Sequence, residues 1–286
     1  MKIAIMGVGL MGRPMAERIL KGKHQLIAYN RTMEKATPLI PLGAKVASTP
    51  DEAIRSSECI ILMLSDARAI RNVMSLNDSS PSVVGRTIIQ MGTISPAESS
   101  EIREETHRAG GDYLEAPVLG SIPQAEKGDL IVMVGATPEQ FDQWSGVLTC
   151  FCSDPLLIGP VGQAAALKLA LNQLIASLSA AFALSLNFVE RKGIDVDLFM
   201  KILRKSALYA PMFDNKLKRM IDREYGQPNF PTKHLAKDID LFLNEARSLS
   251  METAGIDGVR QLVEKTISRG WVETDYSAIF SAISPE

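Results

Sequence analysis

The stretch Lys2-Ile3-Ala4-Ile5-Met6-Gly7-Val8-Gly9-Leu10-Met11-Gly12 decides the reading of the fold. A short apolar run enters a turn of the form G-x-G-x-x-G, and helix-forming residues follow Gly12. Between a strand and a helix this pattern is the opening of a dinucleotide-binding βαβ unit. Gly7 allows the tight turn, Gly9 lets the backbone approach a pyrophosphate, and Gly12 lets helix and strand pack closely. Leu10 and Met11 complete a loop whose free N–H groups, with the positive end of the helix, face phosphate. The competing reading is a glycine turn that holds no ligand.

Beyond the turn, Gln25 to Tyr29 reads as a second strand, and it ends in Asn30-Arg31-Thr32. An acid at that end would hold a ribose 2′-hydroxyl and repel a 2′-phosphate. An amide, a guanidinium and a hydroxyl offer donors to a phosphate instead, so the cofactor indicated is NADP rather than NAD. Arg31 also stands at a helix start, where the dipole disfavours a cation, which argues for a ligand role over a merely solvated charge.

Further βα alternation follows. Residues 59–64, 86–91, 113–118 and 130–135 read as buried strands, with a last short one near Leu156-Leu157-Ile158. Their near-continuous apolar runs suit a parallel sheet covered on both faces. Thr49-Pro50-Asp51-Glu52 and Ser95-Pro96-Ala97-Glu98 open helices with a capping residue and an early proline. After Gly162 strand-like runs become scarce. One helix is expected from about Gln163 to Lys192, stopped by Gly193, with Asp195 or Asp197 capping the next. The expected architecture is an α/β Rossmann domain over 1–161 with a mostly parallel, doubly wound sheet. An all-α substrate and oligomerisation domain over 162–286 follows, with a long interdomain helix.

The bulk numbers agree with an ordinary globular protein. The chain has 286 residues, 46% apolar and 22% charged, with a formal net charge of −2. That balance lacks the basic footprint of a nucleic-acid or membrane-surface binder. Three cysteines (Cys59, Cys150, Cys152) and three well-separated histidines (His24, His107, His234) form no metal-ligand spacing, so no metal is expected. A reducing, cytoplasmic setting is the expectation, with no targeting peptide expected before the first strand. Residues 169–186 carry no charge, but Asn172, Gln173, Ser177, Ser179 and Ser185 interrupt them, as suits a buried helix better than a membrane span.

On the long helix, Lys168 and Asn172 stand one turn apart on a face continued by Ile175, Ser179, Ala183 and Leu186. A lysine there either snorkels from a helix end or is held in a cleft for a reason. Beside a cationic nicotinamide and partly desolvated, its pKa would fall towards neutrality and make it a usable proton donor. Leu119-Gly120-Ser121, after Ala116-Pro117-Val118, forms a turn whose N–H groups could hold a carboxylate, or one more ordinary turn.

Taken together, these segments resemble the β-hydroxyacid dehydrogenase family, which contains 3-hydroxyisobutyrate dehydrogenases, tartronate semialdehyde reductases and glyoxylate/succinic semialdehyde reductases. GVGLMGRPMA (7–16) matches its cofactor turn, EAPVLGSIPQAEKGDL (115–130) its substrate loop, GPVGQAAALKLALNQ (159–173) its catalytic helix, and NFPTKHLAKDIDLFLNEA (229–246) its C-terminal segment. The resemblance implies hydride transfer between NAD(P)H and a short oxo acid, in a homodimer or homotetramer. It places the proton donor on Lys168 and an orienting amide on Asn172. It implies a nicotinamide-ribose contact from Thr93 and a cofactor contact from Lys237. Phe230 and Asp238 match positions lining the substrate pocket in the glyoxylate/succinic semialdehyde branch. That branch also shares the wording of residues 210–213 and 230–234 and prefers NADPH.

Two departures stand out. Leu119 replaces a serine whose hydroxyl commonly helps bind the substrate carboxylate, and Leu171 replaces an Asn of some branches. Losing such a charge-assisted bond costs about 1.5–3 kcal/mol. Other readings are a 3-hydroxyisobutyrate or tartronate semialdehyde type of dehydrogenase and an imine reductase, which usually carries Asp or Tyr at the Lys168 position. A 6-phosphogluconate dehydrogenase, with a longer helical domain, and a dinucleotide-binding regulatory protein without activity are the remaining alternatives.

Overall fold

The computed structural model describes residues 1–74 and 83–284. By internal contacts the chain forms two compact units, Met1–Lys168 and Leu169–Glu286.

The first unit is built on a sheet whose strands are β1 (Lys2–Met6), β2 (Gln25–Tyr29), β3 (Lys45–Val46), β4 (Cys59–Leu62), β5 (Thr87–Gln90), β6 (Asp112–Glu115), β7 (Val118–Leu119), β8 (Ile131–Gly135) and β9 (Leu156–Gly159). Their order is β3-β2-β1-β4-β5-β6-β8-β7, with β9 beside β8. The pairs from β3 to β6 are parallel, and β8 runs antiparallel to β6 and β7. The crossover at β1 and β4 is the switch point at which such sheets bind ligands beyond their strand ends.

The apolar runs explain this burial. Ile3 and Ile5 of β1, Cys59 and Ile61 of β4 and Ile89 of β5 enter one core with Met15, Ala16 and Ile19. Their alternates Ala4, Met6, Ile60, Leu62 and Ile88 enter the opposite core with Ile54, Ile70 and Ile102. Both faces of every central strand are therefore covered, as a parallel sheet requires.

Helices α1 (Gly12–Lys21), α2 (Pro50–Arg55), α3 (Ala67–Met74), α4 (Pro96–Arg108), α5 (Ile122–Lys127) and α6 (Pro138–Leu148) connect the strands. Thr49 accepts from the Glu52 amide at the start of α2, and Ser95 with Glu98 forms a reciprocal capping box on α4. The segment expected as one strand over 113–118 is instead two, β6 and β7. Ala116 and Pro117 separate them, and proline has no N–H to continue a ladder.

The second unit is helical. It contains most of α7 (Gln163–Arg191), then α8 (Val196–Lys205), α9 (Pro211–Ile221), α10 (Thr232–Ser248), α11 (Ala254–Ser268) and α12 (Ile279–Ile283). Gly193, at φ +66°, takes the left-handed conformation that ends α7, and Asp195 rather than Asp197 caps α8 through the Leu198 amide. α7 is long and apolar enough to cross a membrane by length and composition. Its Ala176, Ala180, Phe182, Ala183 and Leu186 instead form the core of this unit, with Met200, Phe213, Leu235, Ile239 and Phe280. In the same unit Lys216 Nζ lies 2.8 Å from both oxygens of Asp275 and 4.2 Å from the centre of the Tyr276 ring.

Candidate active site

The glycine turn is shaped by what it excludes. Gly7 has φ +99°, and a Cβ there would overlap the Met63 carbonyl oxygen. A Cβ on Gly12 would overlap the carbonyl oxygen of Gly7, whereas one on Gly9 would meet nothing within 4 Å. Gly7 and Gly12 are therefore glycine for the protein's own packing, and Gly9 faces open space where a ligand can approach. No side chain caps the start of α1 at Met11, and no acid stands in its first turn. The helix end is left for an anion, which is what a pyrophosphate requires. A cleft of about 630 Å³ beside the turn is lined by Val8, Gly9, Leu10, Arg13, Lys35 and Ile122 among others.

At the end of β2 the structure refines the reading of Asn30. Its Oδ1 accepts from the Val8 amide at 2.9 Å, and its Nδ2 donates to the Thr32 carbonyl at 2.8 Å. Asn30 therefore ties the glycine turn to the strand end, a task its carboxylate analogue could only half perform, lacking the donor. Arg31 and Thr32 are exposed, and no ion pair or hydrogen bond engages the Arg31 guanidinium among the described residues.

Thr93 is half-buried beyond β5. The loop before it is clasped by buried Gln90, whose Oε1 accepts from the Gly92 amide and whose Nε2 donates to the Gly92 carbonyl at 3.1 Å. Leu119 is half-buried at the end of β7, followed by Gly120 at φ +134°. The Ser121 amide and hydroxyl both donate to Gln124 Oε1, at 3.1 and 2.7 Å. One of the N–H groups expected for a carboxylate is thus occupied at the start of α5.

Lys168 and Asn172 are both buried on α7, one turn apart. Within the helical unit, Asn172 Nδ2 donates to Asp238 Oδ2 at 2.6 Å, and Lys237 Nζ lies 2.9 Å from Asp238 Oδ1. That last contact is a close ion pair outside hydrogen-bond alignment. Because the carboxylate takes the amide N–H, the buried Asn172 Oδ1 is left as an acceptor with no donor among the described residues. Phe230 packs edge-on against Tyr276 at 5.7 Å and stacks with His234 at 6.4 Å. Burial, with Lys237 and Lys233 nearby, lowers the His234 imidazole from its ordinary value.

Two residues escaped the motif reading. Gln90 is hidden because its clasp is local and polar residues end many strands. Glu115 gave a visible signal, a lone carboxylate inside the apolar run Tyr113-Leu114-Glu115-Ala116-Pro117-Val118. It is 1% exposed.

The sheet order, the glycine turn and the uncapped α1 define a dinucleotide-binding Rossmann domain. Residues 2–159 match the family described as the NAD-binding domain of 6-phosphogluconate dehydrogenase, and residues 162–283 that described as NAD-binding of NADP-dependent 3-hydroxyisobutyrate dehydrogenase. The chain belongs to the 3-hydroxyisobutyrate dehydrogenase, or β-hydroxyacid dehydrogenase, family and is an NAD(P)-dependent oxidoreductase acting on CH–OH groups. It is 30% identical to glyoxylate/succinic semialdehyde reductase 1 of Arabidopsis thaliana, over 99% of this chain and 98% of that protein. The chloroplastic reductase 2 of the same plant is also 30% identical, over 98% of this chain and 79% of its own length. The 3-hydroxyisobutyrate dehydrogenase structure from Salmonella typhimurium superposes with a TM-score of 0.89 at 22% identity, covering 98% of this chain and 99% of that one.

Proposed function

We propose that the protein reduces a small carboxylate-bearing aldehyde, of the glyoxylate or succinic semialdehyde class, to the hydroxy acid with NADPH. The observation that carries this reading is a lysine buried on a largely apolar helix, one turn from an amide whose orientation a carboxylate sets. Held by the glycine turn, NADPH would supply the hydride for the carbonyl carbon. The carbonyl oxygen then takes a proton from Lys168 Nζ, and the amine regains one from solvent, so the product is the alcohol. The ammonium also offsets the negative charge developing on that oxygen. Asn172 would orient the reacting group, its Oδ1, an acceptor in want of a donor, receiving the hydroxyl of the hydroxy acid, with Asp238 and Lys237 holding the amide in place. Phe230 would line the pocket, and Thr93, on a loop braced by Gln90, would touch the nicotinamide ribose.

The exposed Arg31 and Thr32 support a 2′-phosphate and thus NADP. Leu119 and the occupied Ser121 amide support weaker carboxylate binding than a serine would allow. Family matches over residues 2–159 and 162–283 support a functional boundary at 161/162. Exposed Leu174, Leu184 and Phe188 on α7 support a homo-oligomer, and three buried thiols support a reducing, cytoplasmic setting.

The test is NADPH oxidation with glyoxylate, succinic, methylmalonate and tartronate semialdehydes, and a cyclic imine as contrast. Lys168→Ala should lower kcat by about 10²–10⁴-fold while NADPH still binds. Wild-type turnover by that variant would end the proton-donor assignment.

A further inference from the structure

The helices α2, α4, α6 and α8 are each capped by a residue immediately before their first turn: Thr49, Ser95, Thr137 and Asp195. The start of α7 is held differently, by a carboxylate distant in sequence. Glu115 Oε1, at the end of β6, accepts from the Gly162 amide at 2.8 Å and the Ala165 amide at 3.0 Å. Its other oxygen accepts from Ser99 Oγ on α4, and that hydroxyl lies 2.8 Å from Tyr113 Oη. One side chain therefore joins the sheet, α4 and the first turn of α7.

The protein makes room for this carboxylate. Gly135, paired with Glu115 across β6 and β8, would place a Cβ 2.5 Å from Oε1. Any side chain at 135 would push the carboxylate out of its site. Placing an acid among apolar strands is costly unless its oxygens are satisfied. Burial pushes the Glu115 carboxyl up, and Ser99 with the amides of Ala165, Gly162 and Ala164 opposes that rise. A local Ser or Thr would cap a helix without this expense.

The position of the clamp gives its purpose. Ala165 is three residues before Lys168, so the gripped turn leads directly into the one that carries the lysine. We propose that Glu115 is a positioning residue for Lys168. By accepting from the Gly162 and Ala165 amides, it locks the first turn of α7 and fixes the place from which Lys168 Nζ delivers its proton. This rests on the reading of Lys168 as proton donor. A misplacement of about 1 Å in a reacting group can cost about 10²-fold in rate.

Two variants separate reach from charge. Glu115→Gln keeps the length and an oxygen for the two amides, while its Nε2 can donate to Ser99. Glu115→Asp keeps the charge but falls one methylene short. The expectation with NADPH and glyoxylate is a kcat within about threefold of wild type for Glu115→Gln. For Glu115→Asp it is a fall of about 10- to 100-fold, with the NADPH dissociation constant within about twofold. The alkaline limb of the kcat–pH profile should move in Glu115→Asp and stay in place in Glu115→Gln.

A readout independent of turnover is the pH-dependent labelling of the Lys168 amine by 1-fluoro-2,4-dinitrobenzene, mapped by mass spectrometry. It should shift in Glu115→Asp alone. Glu115→Asp behaving as wild type in labelling overturns the proposal. So does Glu115→Gln impaired as much as Glu115→Asp, because charge and not position would then be the role. Should Lys168→Ala keep its turnover, the proton-donor reading fails, and the labelling result still decides whether Glu115 places the amine.

Discussion

In the glycine turn the groups that would meet a phosphate are backbone amides, and glycine at three positions keeps side chains out of the turn there. In the helical unit the backbone bonds are closed within helices, and the polar atoms belong to side chains: Asn172, Asp238, Lys237, Lys216 and Asp275. The first arrangement is sterically closed at two of its three glycines, which have no room for a Cβ. The second is set by small networks of side chains, Asp238 facing both Asn172 and Lys237, and Asp275 both Lys216 and Ser277. A substitution in the turn should act as a steric switch, and one in the helical unit as a graded loss of orientation or charge balance.

The sharpest way to break that contrast is within the turn itself. Gly12→Val forces side-chain atoms onto the Gly7 carbonyl and should abolish NADPH binding, read by cofactor fluorescence, and lower the melting temperature. Gly9→Ala adds its methyl to open space. It should leave the melting temperature unchanged while weakening NADPH. Equal melting temperatures for the two variants would refute the division of labour among the glycines.

In the helical unit the largest effect should come from Asp275→Asn, which leaves the Lys216 ammonium buried without its counter-charge. The expected loss is about 3–5 kcal/mol in denaturant unfolding at neutral pH. Burial alone would raise the Asp275 carboxyl, but Lys216 and Ser277 outweigh it and bring it below the ordinary value. The contribution is therefore complete above the unfolded-state carboxyl pKa of about 3.9 and is lost as pH falls through the lower folded value. Wild-type stability should drop across that acid window, and Asp275→Asn should show a flatter profile there. A parallel drop in both would mean that another carboxylate governs acid unfolding.

Arg31→Ala should weaken NADPH by about 10- to 100-fold, the worth of a hydrogen bond to a charged group, and leave NADH nearly unaffected. Equal losses for both cofactors would place the 2′-phosphate elsewhere. The smallest of these effects belongs to Asp238→Ala, which leaves Asn172 Nδ2 buried without an acceptor at about 1–3 kcal/mol. Its kcat should fall by about tenfold, with Asp238→Asn recovering part of the loss through its remaining oxygen. An unchanged kcat in Asp238→Ala would show that the Asn172 orientation does not matter to the chemistry.

Most of the fold was legible in the chain because the relevant signals are local. Strands β1, β2, β4 and β5 are runs of apolar residues, and a parallel sheet buries both faces of such runs. Thr49 and Ser95 cap helices a few residues away, and Gly193 stops α7 by its own backbone conformation. The break between β6 and β7 is also written in Pro117, but a single missing N–H is a weak signal inside a run of apolar residues.

The candidate site divides along the same line. The G-x-G-x-x-G turn, the Asn30-Arg31-Thr32 strand end and the Lys168–Asn172 spacing follow from short-range order, so sequence alone determined them. Only tertiary structure decided that Asn30 binds the turn, that Gln124 takes the Ser121 amide, and that Asp238 orients Asn172. It alone disclosed that Glu115, through a glycine-sized gap at Gly135, grips the start of α7. The physical reason is range. Periodicity and capping act over one or two turns of chain, whereas the partner of a buried polar atom is whichever group the packed sheet and helices bring within hydrogen-bonding distance.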